Sequence, residues 1–364
     1  MPWIRIEGLR APGVSETPVE VEMKSIGRFD SRDKDVTPVA HNGPDAGEEP
    51  IRIGVSSCLL GAEVRFDGGH KRNDFLVNTL GGFVQFVPVC PELEIGLGVP
   101  RETLRLVRDA QAQEPRLIAK QSAIDHTEAM KSYAQRRVTA LGREGLSGYI
   151  LKKDSPSCGM ERVRVYGPSG IPTRDGSGLF AAALIRRYPN LPVEEEGRLN
   201  DPRLRENFVE RIFAYRRVRS FFSSRWTLGG LVELHTAHKL TLMAHSPRAY
   251  AELGRFVAEA KTVTRDIVAE HYETAFMEAL KKLATPARHS NVLQHMLGYL
   301  RPRLDSDSRQ ELVTLIEDYR RGLLPLIVPI ALFRHYVRKL DIPYLRRQIY
   351  LEPHPKELML RNHV

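Results

Sequence analysis

The chain has 364 residues, 42% of them apolar and 27% charged, with a formal net charge of +9. This balance excludes an intrinsically disordered chain, and the length is enough for two domains that each bury a core. The most apolar stretch, 323–333, is too short to span a bilayer and contains Pro325 and Pro329, so no membrane partner is expected.

Residues 1–48 are rich in Pro, Gly, Asp and Glu, hold no apolar period, and read as a flexible extension. Residues 49–195 alternate between strand-like and helix-like segments. The expected order is strand 52–57, short helix 73–80, strand 84–89, helix 127–141, strand 148–151, helix 178–188 and an extended segment 191–194. Such alternation predicts an α/β, Rossmann-like domain with a parallel sheet, whose ligand sites form at the carboxyl ends of the strands. Glu194-Glu195-Glu196-Gly197 reads as a linker. From 200 to 364 the pattern is that of an all-α domain, with helices expected at 202–222, 228–244, 247–260, 265–283, 289–301, 306–321 and 326–337. Asp201 is an N-cap with Pro202 at the first helical position, Asp305 caps the run to Arg321, and Gly322 stops it.

Charge is divided unevenly. Residues 1–200 hold 27 basic against 27 acidic side chains, whereas 201–364 hold 27 against 18. A basic second half suggests an anionic partner, and an RNA or tRNA-derived ligand is one candidate. The sequence carries no signal for oligomeric state.

Only three cysteines occur, and each follows an apolar run: Ser56-Ser57-Cys58-Leu59-Leu60-Gly61, Pro88-Val89-Cys90-Pro91-Glu92 and Ser155-Pro156-Ser157-Cys158-Gly159. An odd, low count beside an N-terminus without the apolar core of a signal peptide points to a reducing compartment, the cytoplasm, and to thiols acting as ligands. Gly61, Pro91 and Gly159 turn the chain away after each thiol. Three thiolates brought to one sheet edge would form a metal site with an open coordination position. A zinc site completed by His70 is the alternative.

Three motifs carry a resemblance. They are Ser56 to Gly68 (Ser-x-Cys-Leu-x-Gly-x-x-Val-Arg-Phe-Asp-Gly), Val89 to Arg101 (Val-Cys-Pro-Glu followed by Gly-Leu-x-x-Pro-Arg), and Leu151 to Gly159 (Leu-Lys-x-x-Ser-Pro-Ser-Cys-Gly). In this order they resemble the thiouracil desulfidase family, TudS, across roughly 51–194. The resemblance implies a [4Fe-4S] cluster on Cys58, Cys90 and Cys158, one iron without a protein ligand, and desulfuration of 4-thiouracil or 4-thiouridine monophosphate without net redox change. Attack of water on the ring carbon needs a base within hydrogen-bond reach. Glu92 is the best-placed candidate, Asp67 the second, and Ser155 or Ser157 would orient the base or the adduct. A thiolated pyrimidine nucleotide also needs a phosphate grip and polar donors, for which Ser56, Ser57, Arg65, Arg101, Lys152 and Ser157 are candidates. The sequence departs from the family pattern at Phe66, where Tyr is common, and at Glu94-Ile95-Gly96, where a Gly-Gly pair is common.

The second half resembles the YbgA-type helical domain across roughly 220–361. The resemblance rests on Leu231 to Lys239, Asn291 to Tyr299, Tyr319 to Pro329 and Gln348 to Pro355. It implies no chemistry. His235 and His238 share a helix face, but no carboxylate completes a metal spacing there. The competing reading of the whole chain is a thionucleotide- or RNA-binding module with a structural metal site.

Overall fold

The computed structural model describes residues 50–363. The extension expected over 1–48 lies outside the described residues. Among the described residues eight strands occur in chain order: β1 (Arg52–Ser56), β2 (Gln85–Val89), β3 (Leu104–Val107), β4 (Arg116–Ala119), β5 (Leu146–Leu151), β6 (Val163–Tyr166), β7 (Pro172–Gly176) and β8 (Val193–Glu195). Strands β2-β1-β5-β8 form a wholly parallel sheet, in which Val55 stands opposite Ile150 and Leu151 opposite Glu195. The expected parallel sheet is therefore present.

A second, mixed sheet, β4-β3-β6-β7, was not expected. Its strands have four or five residues and interleave Arg105, Arg116, Arg164 and Arg174 with apolar positions. Segments that short carry too little periodicity to register as strands.

The parallel sheet is covered on both faces, as burial of its continuous apolar strands requires. Successive β5 side chains point to opposite faces. Tyr149 meets Phe180 of α3 (Leu179–Arg187) at a ring distance of 5.9 Å, and Phe180 in turn lies 6.2 Å from Tyr133 of α2 (Thr127–Leu141). The chain supplies β3 and β4 of the second sheet between α1 (Pro91–Glu94) and α2, and β6 and β7 between β5 and α3. The opposite face of the parallel sheet is closed by α4 (Pro202–Ser223), whose Phe208, Val209 and Ile212 share a core with Ile53, Val55 and Ile150. A Cβ at position 148 would lie 2.9 Å from Ile212 Cγ1, so Gly148 lets this helix sit directly on the strand. Each such fully buried side chain contributes about 1.5–3 kcal/mol.

Helix α4 begins as the sequence indicates. Asp201 accepts hydrogen bonds from the amides of Arg203 and Leu204, and Pro202 occupies the first turn. The helices that follow are α5 (Leu228–Ala237), α6 (Lys239–His245), α7 (Pro247–Glu259), α8 (Arg265–Leu280), α9 (Pro286–Leu300), α10 (Ser306–Arg320), α11 (Ile327–Lys339) and α12 (Pro343–Arg346). The single helix expected over 228–244 is broken at His238, which leaves helical geometry. Its ring is buried edge-on against Phe276 at 5.1 Å, and its Nδ1 hydrogen-bonds to Leu234 O.

Glu194-Glu195-Glu196 is not a linker. Glu194 and Glu195 end β8 and Glu196 follows it, all three buried, because each carboxylate finds a donor. Among the described residues no helix is long and apolar enough to cross a membrane.

Candidate active site

The carboxyl ends of β1, β2 and β5 lie side by side, and each leads into a segment carrying one cysteine. After β1, a single helical turn (Ser57–Leu60) is anchored by fully buried Leu59. Gly61 closes this turn at φ 97°, and the Lys71 amide donates to Cys58 O at 2.8 Å. After β2, Cys90 stands at the N-cap of α1, and its amide donates to Glu94 Oε1 at 3.0 Å. Glu94 Oε2 accepts in turn from the Tyr133 hydroxyl at 2.8 Å, which ties this turn to α2.

After β5, Ser155 organises the third turn. Its Oγ accepts from the amides of Ser157 (3.2 Å) and Cys158 (3.1 Å), and its carbonyl accepts from Gly159. A side chain at position 159 would place Cβ 2.4 Å from Val163 Cγ2 and 2.9 Å from Ser155 O, so only glycine fits there.

These segments enclose a cavity of about 390 Å³. Of the residues singled out in the sequence, Cys58, Cys90, Cys158, Glu92, Ser155, Ser56, Ser57, Arg65, Arg101 and Lys152 line it. Two do not. Ser157 is fully buried beneath the wall, where its hydroxyl donates to Glu92 Oε1 at 3.0 Å. Asp67 lies in an exposed turn, accepts from the Gly69 amide at 3.1 Å and pairs with Arg65 at 3.4 Å; the Gly69 amide and Arg65 hold its carboxyl below the usual range.

The charged groups are largely engaged with one another. Arg101 donates to Glu92 Oε2 through Nε (3.0 Å) and Nη2 (2.6 Å), and to the carbonyls of Gly98 and Val64. Lys152 Nζ pairs with Glu196 Oε1 at 2.5 Å, and its amide donates to Ser56 Oγ. Neither cation therefore stands free toward the cavity. At the mouth, Arg65 lies 5.2 Å over the Phe66 ring.

All three thiols are free of disulfides. Burial pushes the Cys58 thiol up to about 11, against the opposing charge of Lys152, and raises Cys90 and Cys158 as well. Without a metal the thiols are protonated at neutral pH, so any metal that binds must displace those protons. Soft sulfur donors on one cavity wall suit a thiophilic centre. Among the described residues no group of three or more His, Cys, Asp or Glu side chains forms a ready-made single-ion site. His70 lies outside the cavity wall, its Nδ1 accepting from the Arg72 amide, so it does not complete a zinc site.

Sequence reasoning missed Glu94 and Glu196, which hold the ligand turns. It also missed Thr103 and Leu104, brought to the cavity by the unexpected second sheet. Glu94 sits four residues after Cys90, one past the capping-box spacing, so only its nearness in sequence hints at its role. Glu196 is distant in sequence and carries no such mark.

Comparison with known proteins matches two families. Residues 53–196 match the family described as 2-thiouracil desulfurase, and residues 239–355 match a protein family of unknown function, DUF1722. The uncharacterized protein YbgA of Escherichia coli K12 is 35% identical over 165 residues, which is 45% of this chain and 98% of that protein. The uncharacterized protein YbbK of Bacillus subtilis 168 is 33% identical over 151 residues, 40% of this chain and 97% of that protein. A solved structure described as the [4Fe-4S]-dependent thiouracil desulfidase TudS is 30% identical and covers 42% of this chain and 94% of its own, with a TM-score of 0.34. The chain thus belongs to the 2-thiouracil desulfurase family in its α/β half, joined to a helical half of the DUF1722, YbgA-like family.

Proposed function

We propose that the chain hydrolyses the thiocarbonyl bond of a thiolated pyrimidine, 4-thiouracil or 4-thiouridine monophosphate, to the uracil counterpart and hydrogen sulfide. The observation that carries this reading is the convergence of three unbonded thiols and a half-buried carboxylate on one cavity, in a chain of the desulfurase family. Cys58, Cys90 and Cys158 would hold a [4Fe-4S] cluster, leaving one iron without a protein thiol. When bound, the cluster supplies an open, soft Lewis acid suited to a thiocarbonyl sulfur.

The remaining work falls to the chain. Glu92 Oε2 already accepts twice from Arg101, and Oε1 accepts once from Ser157. A carboxylate offers about four acceptor positions, so the one left is on Oε1. That atom takes the proton of the attacking water, while Arg101 and Ser157 fix its direction. Thiocarbonyl plus water gives carbonyl plus hydrogen sulfide, so no external oxidant or reductant is needed. Arg65 at the mouth is the phosphate contact, and the protein works in the reducing cytoplasm, where thiols persist.

A second reading, in which the thiolated base is presented within RNA, is favoured by an adjoining groove of about 370 Å³ that shares Thr103, Leu104, Asp154 and Pro156 with the cavity. Arg105, Lys120 and Arg164 line that groove beside the Tyr166 ring, and the Arg105 guanidinium lies over the ring at 5.6 Å. Cations beside an aromatic face suit a single-stranded backbone and its bases.

Anaerobic purification tests the main reading. About four irons and four sulfides per chain are expected, with loss of the long-wavelength thiouracil absorbance and release of sulfide. Cluster-loaded protein that leaves 4-thiouridine monophosphate intact would sink it. Turnover of a thiolated oligonucleotide but not of the mononucleotide would select the second reading.

A further inference from the structure

The buried carboxylates at the end of β8 have no place in the chemistry above, yet they reach the turn that carries Cys158. Strand β8 pairs with β5 in parallel, with Glu195 opposite Leu151, and the Glu196 amide donates to Leu151 O. The two glutamates therefore leave the sheet at the level where the Cys158 turn begins. Glu195 is the last residue of β8 and Glu196 the first residue beyond it. Glu196 takes the entry of the turn, with Oε2 accepting from the Lys153 amide at 2.8 Å and Oε1 pairing with Lys152 Nζ. Glu195 takes the exit, with Oε1 accepting from the Met160 amide at 2.8 Å. Their relative exposures are 7% and 9%, so water does not compete for these bonds. Hydrogen bonds to ionised acceptors are roughly twice as strong as neutral ones, and a buried acceptor left without its donor is costly.

We propose that Glu195 and Glu196 are positioning residues that clasp the Cys158 turn at its exit and its entry and hold its thiol at the cavity wall. The inference rests on the reading of Cys158 as a cluster ligand, but its test does not depend on turnover. In cluster-free, fully folded protein, alkylation of each cysteine is followed by peptide mass spectrometry. Glu195→Ala should speed alkylation of Cys158 by about tenfold, the equivalent of one charge-assisted hydrogen bond, with Cys58 and Cys90 unchanged. Glu196→Ala should do the same, while Glu195→Gln, which keeps an acceptor for the Met160 amide, should restore slow labelling.

In reconstituted protein the same Ala variants should lose iron to a chelator faster than wild type, and Glu195→Gln should not. Equal acceleration at all three cysteines would mean general loosening and would overturn the clasp, as would unchanged Cys158 protection in both Ala variants. If no variant or wild type turns over thiolated substrate but the labelling pattern holds, the desulfidase reading fails and the clasp stands.

Discussion

Replacing Glu92 by Gln separates its chemical role from its structural one. The side chain accepts two guanidinium hydrogen bonds at Oε2, 3.0 and 2.6 Å from Arg101, and one hydroxyl bond at Oε1 from Ser157. The amide can keep this arrangement. Its oxygen faces Arg101, its NH₂ faces Ser157, and the serine hydroxyl reverses to accept. What changes is charge: the Arg101 guanidinium keeps its hydrogen bonds but loses the opposing carboxylate charge, a loss of about 1–3 kcal/mol. The base itself disappears, and general base catalysis is worth about 10²–10⁴-fold. The expected result is therefore a variant with wild-type iron content, a thermal midpoint lowered by a few degrees, and turnover reduced about a thousandfold. The assay is anaerobic loss of 4-thiouridine monophosphate absorbance, beside iron quantitation and a melting curve. Turnover within about threefold of wild type would remove Glu92 as the base. Iron lost in proportion to activity would make it scaffold.

Three further outcomes follow from other parts of the fold. The buried ring of His238 has its pKa pushed from 6.5 down to about 4 by burial, with Nδ1 bound to Leu234 O and Nε2 unpartnered. The unfolded chain binds the extra proton between these values, so stability falls as pH drops through that window by up to about 1.4 kcal/mol per unit; His238→Phe should flatten this limb in urea midpoints, and an unchanged slope refutes the assignment. Gly159→Ala places a methyl 2.4 Å from Val163 Cγ2 and should cost about 1–3 kcal/mol while lowering iron retention, both readable on one preparation. Asp201→Ala removes the acceptor of the Arg203 and Leu204 amides and should lower stability by about 1 kcal/mol with iron binding unaffected.

The cavity was legible because its parts are local. Each cysteine follows a strand end by one, two or seven residues, and the turn-forming glycines and prolines stand beside it, so strand order brings the thiols together. Glu92 is likewise fixed by its distance from Cys90. What the sequence concealed depends on distant pairing. Arg101 reads as a free cation until the Glu92 contact is seen, and Lys152 until Glu196 is. The three glutamates at 194–196 look solvated because hydropathy does not register that each will meet a donor in the interior. The second sheet was hidden by the brevity of its strands, and with it the wall formed by Thr103 and Leu104.

The helical half bears directly on the site through α4. An open parallel sheet needs cover on both faces, and within the α/β segment α2 and α3 cover only one. The other belongs to α4, and Leu358 and Leu360 near the C-terminus join the same core as Ile53, Val55 and Cys58. That terminal segment is fastened by buried charge: Arg361 Nε donates to Glu206 Oε1 at 3.1 Å, Arg361 Nη1 to Tyr350 O, and His363 pairs with Glu206 Oε2. One turn along α4, Glu210 pairs with His245 of α6, whose other ring nitrogen binds Lys282 O. Both ring nitrogens of His245 thus face acceptors, the condition of an imidazolium, and the Glu210 carboxylate raises its pKa against the pull of burial. Breaking one member of such a buried pair typically costs 3–5 kcal/mol, so the charges on the inner turns of α4 fix its register. The apolar residues on its sheet-facing side fix the strand that leads to Cys58. Helix α4 lies between the two matched segments, and it packs against the sheet that carries Cys58 on one side and pairs its charges with α6 and the terminal segment on the other.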